Sequence, residues 1–176
     1  MEIVKTSIEG LVIIQPKVFK DERGYFMESY KESFIKENFP DIHFIQDNES
    51  RSSYGVLRGL HFQKPPFEQT KLVRVIDGEV LDVAVDLREN SPTYGKWESV
   101  LLSGDNKKQF FIPKGFAHGF VVKSNTAIVS YKVDNIYQPK YDSGVIYNDS
   151  TLNIKWEISK SDLILSNKDL NLKPFK

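Results

Sequence analysis

The sequence predicts an all-β domain, a sandwich or barrel of short strands with a few short helices. Two observations carry this. Apolar and polar residues alternate with period 2 over several runs, and turn-forming residues interrupt the chain at short, regular intervals. Residues 79–87 place Leu81, Val83, Val85 and Leu87 on one face, with Val80, Asp82, Ala84 and Asp86 on the other. Residues 127–134 repeat the pattern, with Ala127, Val129, Tyr131 and Val133 opposite Ile128, Ser130, Lys132 and Asp134.

In chain order, further β-branched or aromatic runs predict strands at 11–15, 24–30, 43–46, 72–76, 97–102, 109–112 and 119–123. Turn chemistry separates them at Asp21-Glu22-Arg23-Gly24, Asp77-Gly78, Ser91-Pro92-Thr93-Tyr94-Gly95, Ser103-Gly104-Asp105-Asn106 and Pro113-Lys114-Gly115. A short helix is predicted over 31–39, stopped by Pro40, and a second near 159–163. No fixed-period repeat or linker-like segment breaks the chain, so residues 1–176 read as one domain.

Composition narrows the function classes. A chain of 176 residues buries roughly 70% of its extended surface on folding, so a core needs no staple. With no Cys there is no disulfide framework, thiolate nucleophile or Cys-ligated metal. Lys and Arg number 24 and Asp and Glu 24, so no global field draws nucleic acid or an anionic membrane, although a local cationic pocket is compatible. The start Met1-Glu2-Ile3-Val4-Lys5 lacks the pattern of a signal peptide. Apolar runs fall far short of the ~20 residues that span a bilayer. A soluble cytoplasmic protein is expected, with neither nucleic acid nor membrane as partner.

Several stretches are candidates for chemistry. Gly55-Val56-Leu57-Arg58-Gly59-Leu60-His61-Phe62-Gln63 sets a cation and an imidazole three residues apart. A regular strand sends Arg58 and His61 to opposite faces, whereas a bulge at Gly59 brings them together. The competing reading is a satisfied core His with Arg58 in solvent. Lys71 enters a half-buried strand, where an exposed strand-end lysine is the plainer reading. Tyr131 lies mid-strand on an apolar face, where a buried Tyr bonded to a carbonyl is ordinary. Ser166-Asn167-Lys168-Asp169 reads as a surface turn.

Pro113-Lys114-Gly115-Phe116-Ala117-His118-Gly119-Phe120 matches the second sequence stretch of cupin β-barrels. Gly55-x5-His61-x-Gln63 looks like the first, with its second His replaced by Gln. Metal-binding cupins use two His and usually a Glu from the first stretch and one His from the second. Here His61, His118 and a poorly spaced Glu68 make a weak metal site, so a cupin-type barrel working without metal is expected.

Longer motifs run in one order. Phe19-x-Asp21-x-Arg23-Gly24-x-Phe26-x-Glu28-Ser29-Tyr30 precedes Gln46-Asp47-Asn48 and the His61 stretch. Then come Lys71-Leu72-Val73, residues 82–88, Ser91-Pro92-Thr93-Tyr94-Gly95, the His118 stretch, Tyr131-Lys132, Asn148-Asp149 and Lys168-Asp169. From Thr6 to Asp169 the sequence closely resembles the dTDP-4-dehydrorhamnose 3,5-epimerase family. The resemblance implies a cupin-type double-stranded β-helix, or jelly-roll barrel, and an isomerase that needs no cofactor and no metal.

The family inverts carbons 3 and 5 of a thymidine-diphosphate-linked 4-keto-6-deoxy sugar. Removing a proton beside a ketone needs a positioned base and a group that stabilises the enolate oxygen. By resemblance His61 is that base, Asp169 its carboxylate partner, Tyr131 the proton donor from the opposite face and Lys71 the cation near the ketone. Arg23, Arg58 and His118 match sugar-diphosphate contacts. Glu28, Gln46, Asp47 and Asn48 match nucleotide-side contacts, and Lys168 falls in the same binding set. Tyr137 lies where the family stacks an aromatic on the base, and Asp142 stands where a relative carries Glu, a conservative departure. The family forms homodimers whose N-terminal strands extend onto the partner, and residues 3–15 are compatible with that.

Three readings follow. The first is the double epimerase. The second keeps the pocket for a single 3- or 5-epimerase or a ketoisomerase on a related nucleotide sugar. The third is a non-catalytic carbohydrate-binding or metal-binding cupin module. Filled positions at His61, Tyr131 and Asp169 favour the first.

Overall fold

A computed structural model describes residues 1–175. Two antiparallel sheets face each other. The larger has strand order β1 (Glu2–Lys5), β2 (Val12–Gln15), β10 (Gln109–Ile112), β7 (Lys71–Asp77), β12 (Thr126–Val133) and β5 (Gln46–Ser53). The smaller runs β13 (Asp142–Gly144), β6 (Leu57–Gln63), β11 (Phe116–Val122), β8 (Glu79–Asp86) and β9 (Trp97–Ser103). Strands consecutive in sequence often lie in different sheets, and the result is the cupin-type jelly roll that the sequence predicts. A separate two-stranded arm, β3 (Val18–Asp21) and β4 (Gly24–Met27), pairs only with itself.

Alternation explains which side chains enter the barrel. On β12, Ala127 and Val129 are fully buried in the inter-sheet core with Val73, Val75 and Phe110, and Val133 is also fully buried. On β8 both faces are covered. Val80 and Ala84 enter the inter-sheet core, while Leu81, Val83 and Val85 pack outward against Leu152, Trp156 and neighbouring C-terminal side chains. The face of β8 that carries Asp82 therefore looks inward. One indole ties the C-terminal segment to the barrel and one ties it to itself: Trp97 Nε1 on β9 donates to the Leu152 carbonyl and Trp156 Nε1 to the Tyr147 carbonyl, each at 2.9 Å.

Helix α1 (Glu32–Asn38) agrees with the expected 31–39 and packs Ile35 with Val12, Ile14 and Phe111 outside the large sheet. The expected helix near 159–163 is a single 3-10 turn, Lys160–Asp162. Strand β4 ends at Met27, short of the expected residue 30. The strand expected at 43–46 instead begins at Gln46 and runs to Ser53. Its sequence is polar because β5 is a sheet edge, paired only with β12, and its inward residues face the mouth of the barrel rather than its core.

Candidate active site

The site grows from one irregularity in β6. Phe120 pairs with Arg58, and His118 pairs with His61, so three steps on β6 oppose two on β11. Gly59 takes up the extra residue with φ +132. The bulge resets the alternation: Leu57 and Leu60 both pack outward with Val121 and Ala117, while Arg58 and His61 both line the barrel cavity.

That cavity is about 520 Å³, a normal size for a small-molecule site. His61, Arg58, His118 and Phe120 line it from the small sheet, Lys71, Tyr131 and Glu49 from the large sheet, and residues 164–166 with Lys168 and Asp169 close one side. His61 Nε2 lies 2.5 Å from Asp169 Oδ1, on a carboxylate that is 3% exposed. Asp169 belongs to α2 (Asn167–Leu170), whose N-cap is Ser166. The expectation of a surface turn here holds for Ser166, Asn167 and Lys168, which are exposed, and is corrected for Asp169, which is buried because His61 and Ser166 satisfy its carboxylate.

His118 is buried, and its Nε2 lies 2.9 and 3.0 Å from the two oxygens of Asp82. Burial pushes the Asp82 carboxyl up, and His118 and Lys71 oppose that shift. Burial pulls Lys71 down to about 8, against the fields of Asp82 and Asp142. The exposed strand-end reading of Lys71 is thereby overturned. Burial also holds His61 below the ordinary imidazole value, although Asp169 pulls the other way. Tyr131 is raised by burial and lowered only by Arg58, so at neutral pH it carries its proton.

The other expected residues divide between the cavity wall, its rim and the surface beyond. Arg58 Nε donates to Ser52 Oγ at 3.1 Å. Lys168 pairs with Asp142, whose Oδ2 also accepts from the Tyr137 hydroxyl at 3.1 Å. Gln46 and Asn48 bond to each other at 2.8 Å on β5, and Asp47 pairs with Lys132. Arg23 lies at the tip of the arm, paired with Asp21 at 2.5 Å, and Glu28 pairs with Lys31. Those five residues, Arg23, Glu28, Gln46, Asp47 and Asn48, are outside the cavity lining of this chain.

The family model described as dTDP-4-dehydrorhamnose 3,5-epimerase matches residues 5–176. The chain belongs to that family. It is 54% identical over 174 residues to the dTDP-4-dehydrorhamnose 3,5-epimerase of Methanothermobacter thermautotrophicus, covering 98% of this chain and 94% of that one. The crystal structure of the Elizabethkingia anophelis enzyme of the same name superposes with a TM-score of 0.95 at 55% identity, over 99% and 96% of the two chains. A Legionella pneumophila dTDP-6-deoxy-D-glucose-3,5-epimerase, solved in complex with dTDP-4-keto-L-rhamnose, gives a TM-score of 0.94 at 48% identity, over 98% and 92%.

Within this family frame, two features escape sequence reasoning. Asp82 lies on a face that reads as strand alternation, and only the fold shows it to be interior. Ser166 was legible in principle, because Ser-x-x-Asp is the spacing of a helix-capping motif. Gln63, where metal-binding cupins use His, is committed elsewhere. Its amide donates to the carbonyls of Phe67 and Ile136 and accepts from the Gln138 N–H, holding the loop that carries Tyr137. Among the described residues, no group of three or more His, Cys, Asp or Glu is arranged to hold a metal ion, and no helix is long and apolar enough to cross a membrane.

Proposed function

We propose that this chain inverts carbons 3 and 5 of a thymidine-diphosphate-linked 4-keto-6-deoxy sugar, yielding the dTDP-linked 4-keto-L-rhamnose, with His61 and Tyr131 as its two proton-handling groups. One observation carries the division of labour. His61 and Tyr131 face one cavity from different sheets, and inversion requires proton removal on one face of the sugar and delivery on the other.

Neutral His61 takes the proton beside the ketone and becomes imidazolium, stabilised by Asp169. The electron pair moves onto the ketone oxygen, where Lys71 supplies a fixed positive charge. The Tyr131 hydroxyl then gives its proton to the same carbon from the opposite face, restoring the ketone; solvent returns a proton to the tyrosinate and takes one from the His61 imidazolium before the second carbon reacts. Arg58 and His118 bind the sugar-diphosphate, the guanidinium suiting phosphate oxygens. Lys168, Asp142 and Tyr137 form the rim that meets the nucleotide, a nucleotide-activated substrate that fits a cytoplasmic setting.

The substrate contacts assigned to Arg23 and Glu28 belong, in this reading, to a homodimer. The arm that carries Arg23 exposes Phe19, Tyr25 and Phe26, the last at 67%, as an apolar surface looking for a partner. We assign the arm to the second subunit's cavity, with Gln46, Asp47 and Asn48 beside it at the edge of β5. Light scattering should report a dimer, and Arg23→Ala should raise KM more than it lowers kcat.

The deciding experiment is turnover in deuterated water. Label should enter carbons 3 and 5 of the product, and His61→Ala should abolish both incorporations. Label at one carbon only assigns a single epimerase; label in a folded His61→Ala protein at the normal rate removes His61 as base.

A further inference from the structure

Ser-x-x-Asp at 166–169 has capping-box spacing, and in the usual box the third side chain turns back to the N-cap backbone N–H. Here the geometry is diverted. Ser166 Oγ accepts the Asp169 N–H at 3.1 Å, as a cap should. The Asp169 side chain instead accepts the Ser166 hydroxyl proton on Oδ2 at 2.7 Å and presents Oδ1 to His61.

We propose that Ser166 is a positioning residue of the epimerase site, fixing both the backbone and the carboxylate rotation of Asp169 and so acting on His61 through it. The proposal rests on the reading of His61 as base. A hydroxyl suits the task because one oxygen both donates and accepts. Helix α2 spans only Asn167–Leu170, far too short to be held by its own hydrogen bonds. Its position comes instead from contacts with the barrel, the Lys168–Asp142 pair and the backbone bonds of the segment before it among them. Ile164, two residues before Ser166, exchanges backbone bonds with Gly55 and Leu57, each at 2.9 Å. Those residues lead directly into the bulge that aims His61. The strap and the base are thus registered on one strand, and Ser166 carries that register to the carboxylate.

The charged and titratable groups facing His61 come from several elements. Asp169 and Lys168 approach from α2, Lys71 from β7, His118 from β11 and Tyr131 from β12; Glu49 stands on β5 and Arg58 on β6 itself. Burial lowers His61, Asp169 opposes it, and Lys168 and Lys71 add to the lowering. A loosened Asp169 leaves burial and the lysines in command, so the acid limb of kcat/KM moves to lower pH.

The test compares Ser166→Gly with Ser166→Thr in the full-length protein, with folding checked by thermal melting. Glycine is a serviceable N-cap but has no hydroxyl. Its expected outcome is a kcat lower by about 10–100-fold, a KM within about 3-fold, and an acid limb displaced downward. Threonine keeps both bonds and should restore most of the lost kcat. A folded Ser166→Gly protein with wild-type kcat and acid limb overturns the proposal, as does a loss confined to KM. If the glycine variant fails to fold, Ser166→Asp retains the cap acceptor but has no proton to give; loss of kcat supports the role and wild-type kcat overturns it. His61→Ala separates the two claims. Normal exchange there defeats the base assignment, whereas an inactive His61→Ala beside an unimpaired Ser166→Gly defeats only the positioning role.

Discussion

His61 and His118 are register partners across β6 and β11, yet each imidazole is held by a different aspartate. Asp169 reaches His61 from the C-terminal strap, and Asp82 reaches His118 from the neighbouring strand β8. The first carboxylate faces the imidazole proposed as the base. The second is buried with its histidine and also acts on Lys71.

Asp82→Asn tests that second pair. The amide keeps the shape but removes the negative charge that holds Lys71 up against burial. Lys71 should lose its proton at lower pH than in the wild type, so the alkaline limb of kcat/KM should move below about 8. A drop in kcat/KM of about 10-fold or more at neutral pH is expected, since a buried charged hydrogen bond is weakened. An alkaline limb left in place in a folded variant would show that Asp82 does not act on Lys71.

Much of this arrangement can be read from the chain, and the parts that cannot share a cause. Alternation at 127–134 places Tyr131 with Val129 and Val133 because those neighbours must be buried. A bulge at Gly59 is foreseeable because glycine is the residue that tolerates positive φ. Strand β5 is not foreseeable from apolar periodicity, since Gln46, Asn48, Ser50 and Ser52 share the face of Tyr131 without entering the core. The pairing of Asp169 with His61 spans 108 residues, and no local pattern encodes such a contact; the family resemblance supplied it.

Tyr131→Phe separates proton removal from proton delivery. The ring volume is retained, so the cavity keeps its shape while the donor is lost. His61 can still remove a proton and return a deuteron to the same face. Recovered substrate should therefore acquire label, while inverted product falls by about 10²–10⁴-fold. Product formed at the wild-type rate would remove Tyr131 as the donor.

The pH profile follows from two depressed bases with opposite requirements. His61 must be neutral to act, and burial holds it below its ordinary value of about 6.5. Lys71 must be charged, and its proton leaves at about 8. The free enzyme should therefore give a bell-shaped kcat/KM profile with its acid limb below 6.5 and its alkaline limb near 8. Lys71→Arg keeps a cation throughout this range and should erase the alkaline limb, whatever its kcat. Lys71 also links to stability with a definite sign: the folded chain releases this proton before the unfolded chain does, so its contribution to stability rises from about pH 8 to about pH 10.4. Urea melts of wild type and Lys71→Met across that window check the sign.

Gly59 carries the bulge, and its substitution separates close approach from backbone preference. A Cβ there would lie 2.5 Å from Gly119 Cα and 2.9 Å from the His118 carbonyl oxygen, at φ +132. Both obstacles are backbone, on the strand that holds His118, so no side chain can rotate away. Gly24 provides the comparison, with φ +124 and nothing within 4 Å of its Cβ position. Gly59→Ala should cost about 2–3 kcal/mol through overpacking in addition to the positive-φ strain, lowering the melting temperature by about 4–12 °C. Gly24→Ala meets only the φ preference and should lose visibly less. Activity should fall further than stability for Gly59→Ala, because displacing this one residue moves Arg58 and His61 together. Equal melting temperatures for the two variants would mean that β11 yields without strain, and wild-type turnover in Gly59→Ala would mean that the bulge does not aim the base.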